Sequence, residues 1–309
     1  MNTQPNAMPD TPRESGGGLL SVSATRPFYW SVRRELWEYR SIYLAPLAIA
    51  GVFLFAFMFV LAFLPHVMRT LPSLDPEQQR DALGQPYDVA AGLIMGVAFI
   101  VSIFYSIDAL YGERRDRSIL FWKSLPVSDL TTVLAKASIP LVVLPLLAFA
   151  ITVVTESIML LLSSVVLLAG GLSVATLWTT VQPGQTLLLL LYHLVTAHML
   201  WFAPFYGWLL LVSAWARRTP FLWAVLPPLA IGIFEKIAFH HSYFADLLTN
   251  RFSGGDDAMS SMMGDMPFRP GMHVSPGAFL AAPGLWIGLL VAAAFLVGAA
   301  RVRRYREPI

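Results

Sequence analysis

Apolar positions along the chain fall in long unbroken runs, and these runs set the predicted elements. Residues 41–65 hold no formal charge. A helix rises about 1.5 Å per residue, so about 20 apolar residues cross a hydrocarbon layer about 30 Å thick. The pattern predicts six spans, at about 42–65, 89–110, 137–168, 186–214, 220–239 and 279–300. Pro46 is read as a tolerated kink in the first span and Pro65 as its end. The polar stretch 66–88, with Asp75, Glu77, Asp81 and Asp88, is read as a loop. Residues 157–216 contain no Lys, Arg, Asp or Glu, so only Gly170-Gly171 and Gln182-Pro183-Gly184 mark turns there. The third span is then over-long and must tilt or protrude, because nothing near Glu156 signals a break. Arg217, Arg218, Thr219 and Pro220 make a tight turn between the fourth and fifth spans. The expected fold class is an all-α integral membrane protein with one six-span domain over residues 26–309.

Composition strengthens this picture. The 309 residues are 56% hydrophobic and 13% charged, against about 25% charged in soluble domains. The absence of cysteine excludes disulfides, thiolate catalysis and Cys metal sites. Residues 1–25, rich in Pro, Ser, Gly and Thr, cannot bury a core and predict a disordered tail. The first apolar run exceeds the 7 to 15 residues of a signal-peptide core and is read as an uncleaved anchor. Residues 27–40 predict a short helix, capped by Thr25 with Pro27 in its first turn. Trp30 and Trp37 alternate there with Arg33 and Arg34. Such a helix lies in the headgroup plane, rings toward acyl chains and guanidinium groups toward phosphate.

Charge selects the orientation. With both termini cytoplasmic, the inner segments hold Arg13, Arg26, Arg33, Arg34, Arg40, Arg114, Arg115, Arg117, Lys123, Lys136, Arg217, Arg218, Arg301, Arg303, Arg304 and Arg306. These are 16 of the 21 basic residues. The positive-inside rule therefore places both termini in the cytoplasm of a cell with the chain in its inner or plasma membrane. Nucleic acid is not an expected partner; the lipid bilayer is.

The segment 111–136 is the long charged connection between spans. Glu113, Arg114, Arg115, Asp116 and Arg117 form a charged turn. Ser118 to Leu125 predicts two helical turns with Leu120, Trp122 and Leu125 on offer, too short to span, and Pro126 ends the piece. Ser128 reads as the N-cap of the next helix, with Asp129 in its first turn. The order of a charged turn opened by Glu113, then Ser118, an apolar run and Ser124-Leu125-Pro126-Val127-Ser128 resembles the permease subunits of the type-2 ABC exporter family. Arg117 stands where that family often has glycine. The resemblance implies a permease that pairs with a second permease copy and with two cytoplasmic ABC ATPase subunits. The segment from Glu113 to Pro126 and the interfacial helix would then face the ATPase.

Motifs for chemistry are missing. No G-x-x-x-x-G-K-[ST] phosphate loop is present, so the chain is not expected to be an enzyme or to bind a cofactor. ATP and Mg²⁺ are expected on the partner ATPase. Neither H-E-x-x-H nor a G-x-S-x-G elbow occurs. Ionisable groups inside the spans are costly in lipid and are functional candidates by default. Glu156, Glu235 and Lys236 are the candidates for a translocation path. They also carry the alternative expectation, an ion-coupled secondary transporter. A Met- and His-rich stretch, His240 to His273, raises a further alternative of copper handling, since thioethers and imidazoles bind Cu(I).

Overall fold

A computed structural model of the chain describes residues 25–124, 127–253 and 276–306. The expectations placed on the N-terminal tail, on Leu125 and Pro126, and on the Met-rich stretch 254–275 lie outside the described residues.

Every regular element among the described residues is helical. Helix α1 is Thr25–Glu38, and α2 runs Ser41–Thr70. Pro65 lies inside α2, so this helix continues five residues past its expected end. The expected loop at 66–88 is mostly helix as well, because α3 begins at Pro76 and runs unbroken to Asp108. Asp75 has extended backbone at the N-cap position and Pro76 supplies the pre-set φ of a first turn, so the pair starts a helix where a loop was expected. Two short helices follow, α4 (Tyr111–Arg115) and α5 (Ile119–Lys123).

Helix α6 (Asp129–Ser138) opens on Ser128, whose side chain accepts a hydrogen bond from the Thr131 backbone N–H. It passes through a π-helical turn, Ile139–Val143, into α7 (Leu144–Ala169). Pro140 and Pro145 each lack the N–H an α-helix needs, which accounts for the widened turn beside them. The helix runs unbroken past Glu156. As one rod this 41-residue element is about 60 Å long, twice the hydrocarbon thickness. At that length the element must tilt or protrude beyond an apolar layer, as expected of the over-long third span.

Gly170 and Gly171 close α7, Gly171 with φ +66°. A short helix α8 (Val174–Val181) fills part of the stretch read as a turn, and Gln182 (φ 48°) leads into α9 (Pro183–His193). A π-helical segment, Leu194–Trp201, then joins α10 (Ala203–Trp215). The chain bends by 45° between Val174–Trp201 and Ala203–Trp215. The turn before α11 (Pro220–Phe239) uses Thr219 at φ 46°. Helices α12 (Tyr243–Ser253), α13 (Pro276–Ala281) and α14 (Pro283–Tyr305) complete the described chain. Among the described residues five helices are long and apolar enough to cross a membrane, and six if the bent pair counts as one span.

Small residues bring α10 and α14 close together. A Cβ added at Gly207 on α10 would sit 3.3 Å from the Ala292 carbonyl of α14. One added at Gly298 on α14 would sit 3.3 Å from Leu211. Small residues let two helix backbones approach where no water is expelled to drive association. A central core of Ile42, Ile94, Tyr105, Val133, Ile139, Leu144 and Leu210 joins α2, α3, α6, α7 and α10. A second core, with Phe57, Leu61, Tyr87, Met159 and Leu177, holds the opposite end of α2, α3 and α7. Only Ala224 of α11 is buried, and its Phe221, Ile233 and Phe234 face outward as a lipid-facing helix requires.

The helices thus have two chemically distinct ends. One gathers α1, α4, α5, the start of α6 and the arginine-rich end of α14; the other gathers the acidic start of α3 with α8 and the start of α9.

Candidate functional site

The basic end is organised by a buried ion cluster. Helix α1 brings Arg34 and Glu35, α4 brings Glu113, α6 brings Asp129 and Lys136, and α14 brings Arg303. The Lys136 ammonium lies 2.9 Å from Glu35 Oε1 and 3.2 Å from Glu113 Oε1. Arg34 donates to Glu113 Oε1 at 2.8 Å and sits 3.2 Å from Glu35. Arg303 spans Glu113 Oε2, at 3.1 Å, and Asp129. The Tyr105 hydroxyl of α3 donates to the second oxygen of Glu35 at 2.8 Å. Three carboxylates (Glu35, Glu113, Asp129) thus face three cations (Arg34, Lys136, Arg303). Buried charges persist only when paired and hydrogen-bonded in this way. Burial disfavours the Arg34 guanidinium, but Glu35 and Glu113 outweigh it and hold its pKa above the ordinary arginine value.

The geometry corrects part of the expected docking surface. Glu113 and Arg114 are buried, at 3% and 2% exposure, and cannot present themselves to a soluble partner. Glu113 is the hub of the cluster. Arg114 reaches the C-terminus of α10, donating to the carbonyls of Ser213, at 3.3 Å, and Ala216, where a cation also meets the negative end of the helix dipole. Ser213 Oγ in turn accepts from the backbone N–H groups of Leu110, at 3.0 Å, and Tyr111, at 2.9 Å. Helix α4 is therefore bolted to α10 at both termini.

Beyond this anchor the segment turns outward. Arg115, Asp116 and Arg117 are exposed, and Arg115 bonds Asp116 at 3.0 Å. Arg117 adopts φ 59°, the left-handed region that glycine occupies without cost. Ser118 then starts α5, on which Leu120 and Phe121 stand free at 60% and 61% exposure. Trp122 turns back under the Arg34 guanidinium, 3.7 Å from the ring centre. The result is a short helix with an apolar tip held on a rigid charged base.

Helix α1 divides its basic residues differently from the expectation that all guanidinium groups face phosphate. Arg34 turns inward to the cluster, whereas Arg33 packs over Trp30 and Trp37, at 5.1 and 4.8 Å. Trp30 and Trp37 are exposed and form an aromatic face suited to a membrane interface. Tyr39, just past the end of α1, donates to Asp108 of α3 at 3.1 Å, and burial together with that carboxylate pushes its phenol pKa up.

At the other end lies a cavity of about 410 Å³, walled by α3, α7, α8 and α9. Glu77, Arg80, Asp81 and Asp88 of α3 line it together with Glu156 and Thr186. Glu156 is 3% exposed and its Oε1 has no hydrogen-bond partner. Glu235 and Lys236 do not join Glu156 there. Glu235 Oε2 accepts from the Phe244 backbone N–H at 2.8 Å, fixing the start of α12, and Lys236 is exposed. Among the described residues no group of three or more His, Cys, Asp or Glu side chains could hold a metal ion.

No family model matches the chain, and no curated protein or solved structure matches it.

Glu35, Lys136 and Arg303 were not among the residues singled out by sequence. A signal for Lys136 existed: it lies within the otherwise apolar and small inner face of α6 (Thr132, Val133, Ala135, Ala137), where a lone ammonium needs a counterion. Of its two partners, Glu35 is 101 residues away, beyond any local pattern.

Proposed function

We propose that the chain is the membrane-spanning permease subunit of an ATP-driven exporter, worked by separate cytoplasmic ABC ATPase subunits and paired with a second permease copy. The bent pair counts as one span, giving six, and the basic end faces the cytoplasm, which puts 16 of 21 basic residues inside. Export as the direction of transport follows the family resemblance of the segment from Glu113 to Ser128.

The observation that carries this reading is the outward-facing tip of α5 on its ion-clamped base. Leu120 and Phe121 offer a small apolar knob flanked by Asp116 and Arg117. The clamp ties that knob to α1, α6 and α14 at once. A push at the knob is therefore delivered to several membrane helices together and is not absorbed by a loose loop. The docking surface is accordingly Asp116, Arg117, Leu120 and Phe121, with Glu113 and Arg114 behind it as anchors.

A photo-crosslinking side chain placed at Phe121 in native membranes tests the assignment. The expected adduct is a soluble chain that carries a G-x-x-x-x-G-K-[ST] phosphate loop. Adducts only to lipid, or to proteins without that loop, refute it.

A further inference from the structure

The cavity at the acidic end is not used by the coupling reading, and its chemistry is specific. Its lining acids, Glu77, Asp81, Asp88 and Glu156, outnumber its one lining base, Arg80. Glu156 stands apart from the rest. It projects from α7 into this space, 97% shielded from solvent, with Oε1 lacking any hydrogen-bond partner. A buried carboxylate without a donor is costly and takes up either a proton or a bound cation. The Tyr87 ring adds a wall, while its hydroxyl pairs with Ser163 at 3.1 Å and does not compete for Glu156. Thr180 and Thr186 line the same wall.

We propose that this cavity is a binding site for a small organic monocation, an ammonium compound carrying an apolar group, with Glu156 as its counterion. The volume, about 410 Å³, falls within the roughly 300–1,000 Å³ of small-molecule sites. A bare metal ion is disfavoured because no three ligating side chains converge among the described residues. An ammonium group needs one carboxylate and tolerates an aromatic face beside it. As a binding site the assignment stands on the cavity alone; as a site for the transported substrate it rests on the permease reading.

The test uses the full chain in phosphatidylcholine nanodiscs and labelled benzyltrimethylammonium as the probe, with neopentylbenzene as its uncharged isostere. Saturable binding that neopentylbenzene does not displace is expected. Glu156→Gln should weaken it by at least about tenfold, the loss of one charge-assisted contact. Gly84→Leu provides a second route. A Cβ there meets only Asp88 Oδ2, at an ordinary 3.9 Å, so a longer side chain can enter the cavity from α3 while the Glu156 carboxylate is kept. It should also weaken binding, and it decides the matter if Glu156→Gln does not fold. Absence of saturable binding, equal displacement by the isostere, or unchanged affinity in a folded variant would each overturn the site. No ATPase enters this measurement, so its failure leaves the docking assignment standing, and failure of the docking assignment leaves the binding result standing.

Discussion

Replacing Lys136 with methionine isolates what holds the basic end together. Methionine keeps much of the aliphatic length and removes the charge, leaving Glu35, Glu113 and Asp129 opposed by Arg34 and Arg303 alone. Lys136 is 1% exposed and contacts two carboxylates, at 2.9 and 3.2 Å, so water cannot take its place. Removing one partner of such a buried pair costs about 3–5 kcal/mol, most of it the penalty of the orphaned charge. On the scaling for soluble domains, about 2–4 °C per kcal/mol, the melting temperature should fall by about 6–20 °C. Intrinsic tryptophan fluorescence of the detergent-solubilised chain reads this directly, and the chain carries nine tryptophans and no cysteine for a thiol dye. Lys136→Met combined with Glu35→Gln restores the balance, two acids against two bases, and keeps an acceptor for the Tyr105 hydroxyl. The double variant should recover at least half of the loss, a coupling that a mutant cycle measures. Arg33→Ala, which removes only exposed stacking on Trp30 and Trp37, should move the melting temperature by less than about 3 °C. A shift as small as this in Lys136→Met, or no recovery in the double variant, would refute the clamp.

Two further changes test local geometry. Arg117→Gly relieves a left-handed backbone at φ 59° and should raise stability by about 1 kcal/mol, whereas Arg117→Val should lower it; the same thermal melt separates the two. Gly207→Leu forces a side chain against the Ala292 backbone carbonyl, only 3.3 Å from a built Cβ, and should cost about 1–3 kcal/mol through overpacking. Gly92→Ala, where a Cβ meets nothing within 4 Å, is its control, and an equal loss at both sites would contradict the close α10–α14 contact.

The apolar spans were legible because charge-free runs leave a helix in a membrane few alternatives. Ser128 as a cap was legible for a local reason, a hydroxyl three residues before the N–H it accepts from. The polar stretch 66–88 was misread because acidic composition was weighed above the Asp75-Pro76 start signal. Within it Glu77, Asp81, Gly84 and Asp88 recur at intervals of 4, 3 and 4, one helical face, and that face lines the cavity. The burial of Glu113 was not legible. Its partners Arg34 and Arg303 lie 79 and 190 residues away, and a Glu-Arg-Arg-Asp-Arg run reads equally well as a solvated turn until α1 and α14 are placed around it. The same holds for Arg33 and Arg34, adjacent on α1 and therefore about 100° apart, one stacking on exposed rings and the other entering the cluster.

The proposed permease role places the ATPase's push at the tip of α5. The direct measurement is ATP hydrolysis by the ATPase captured at Phe121, reconstituted in liposomes with the wild-type chain or with a Leu120→Asp/Phe121→Asp variant. Both changed residues are exposed, so the melting temperature should not move. The wild-type chain should stimulate hydrolysis, and the variant, equally stable and equally inserted, should not. Equal stimulation by the variant, or solute movement driven by an ion gradient through the chain with no ATPase present, would contradict it.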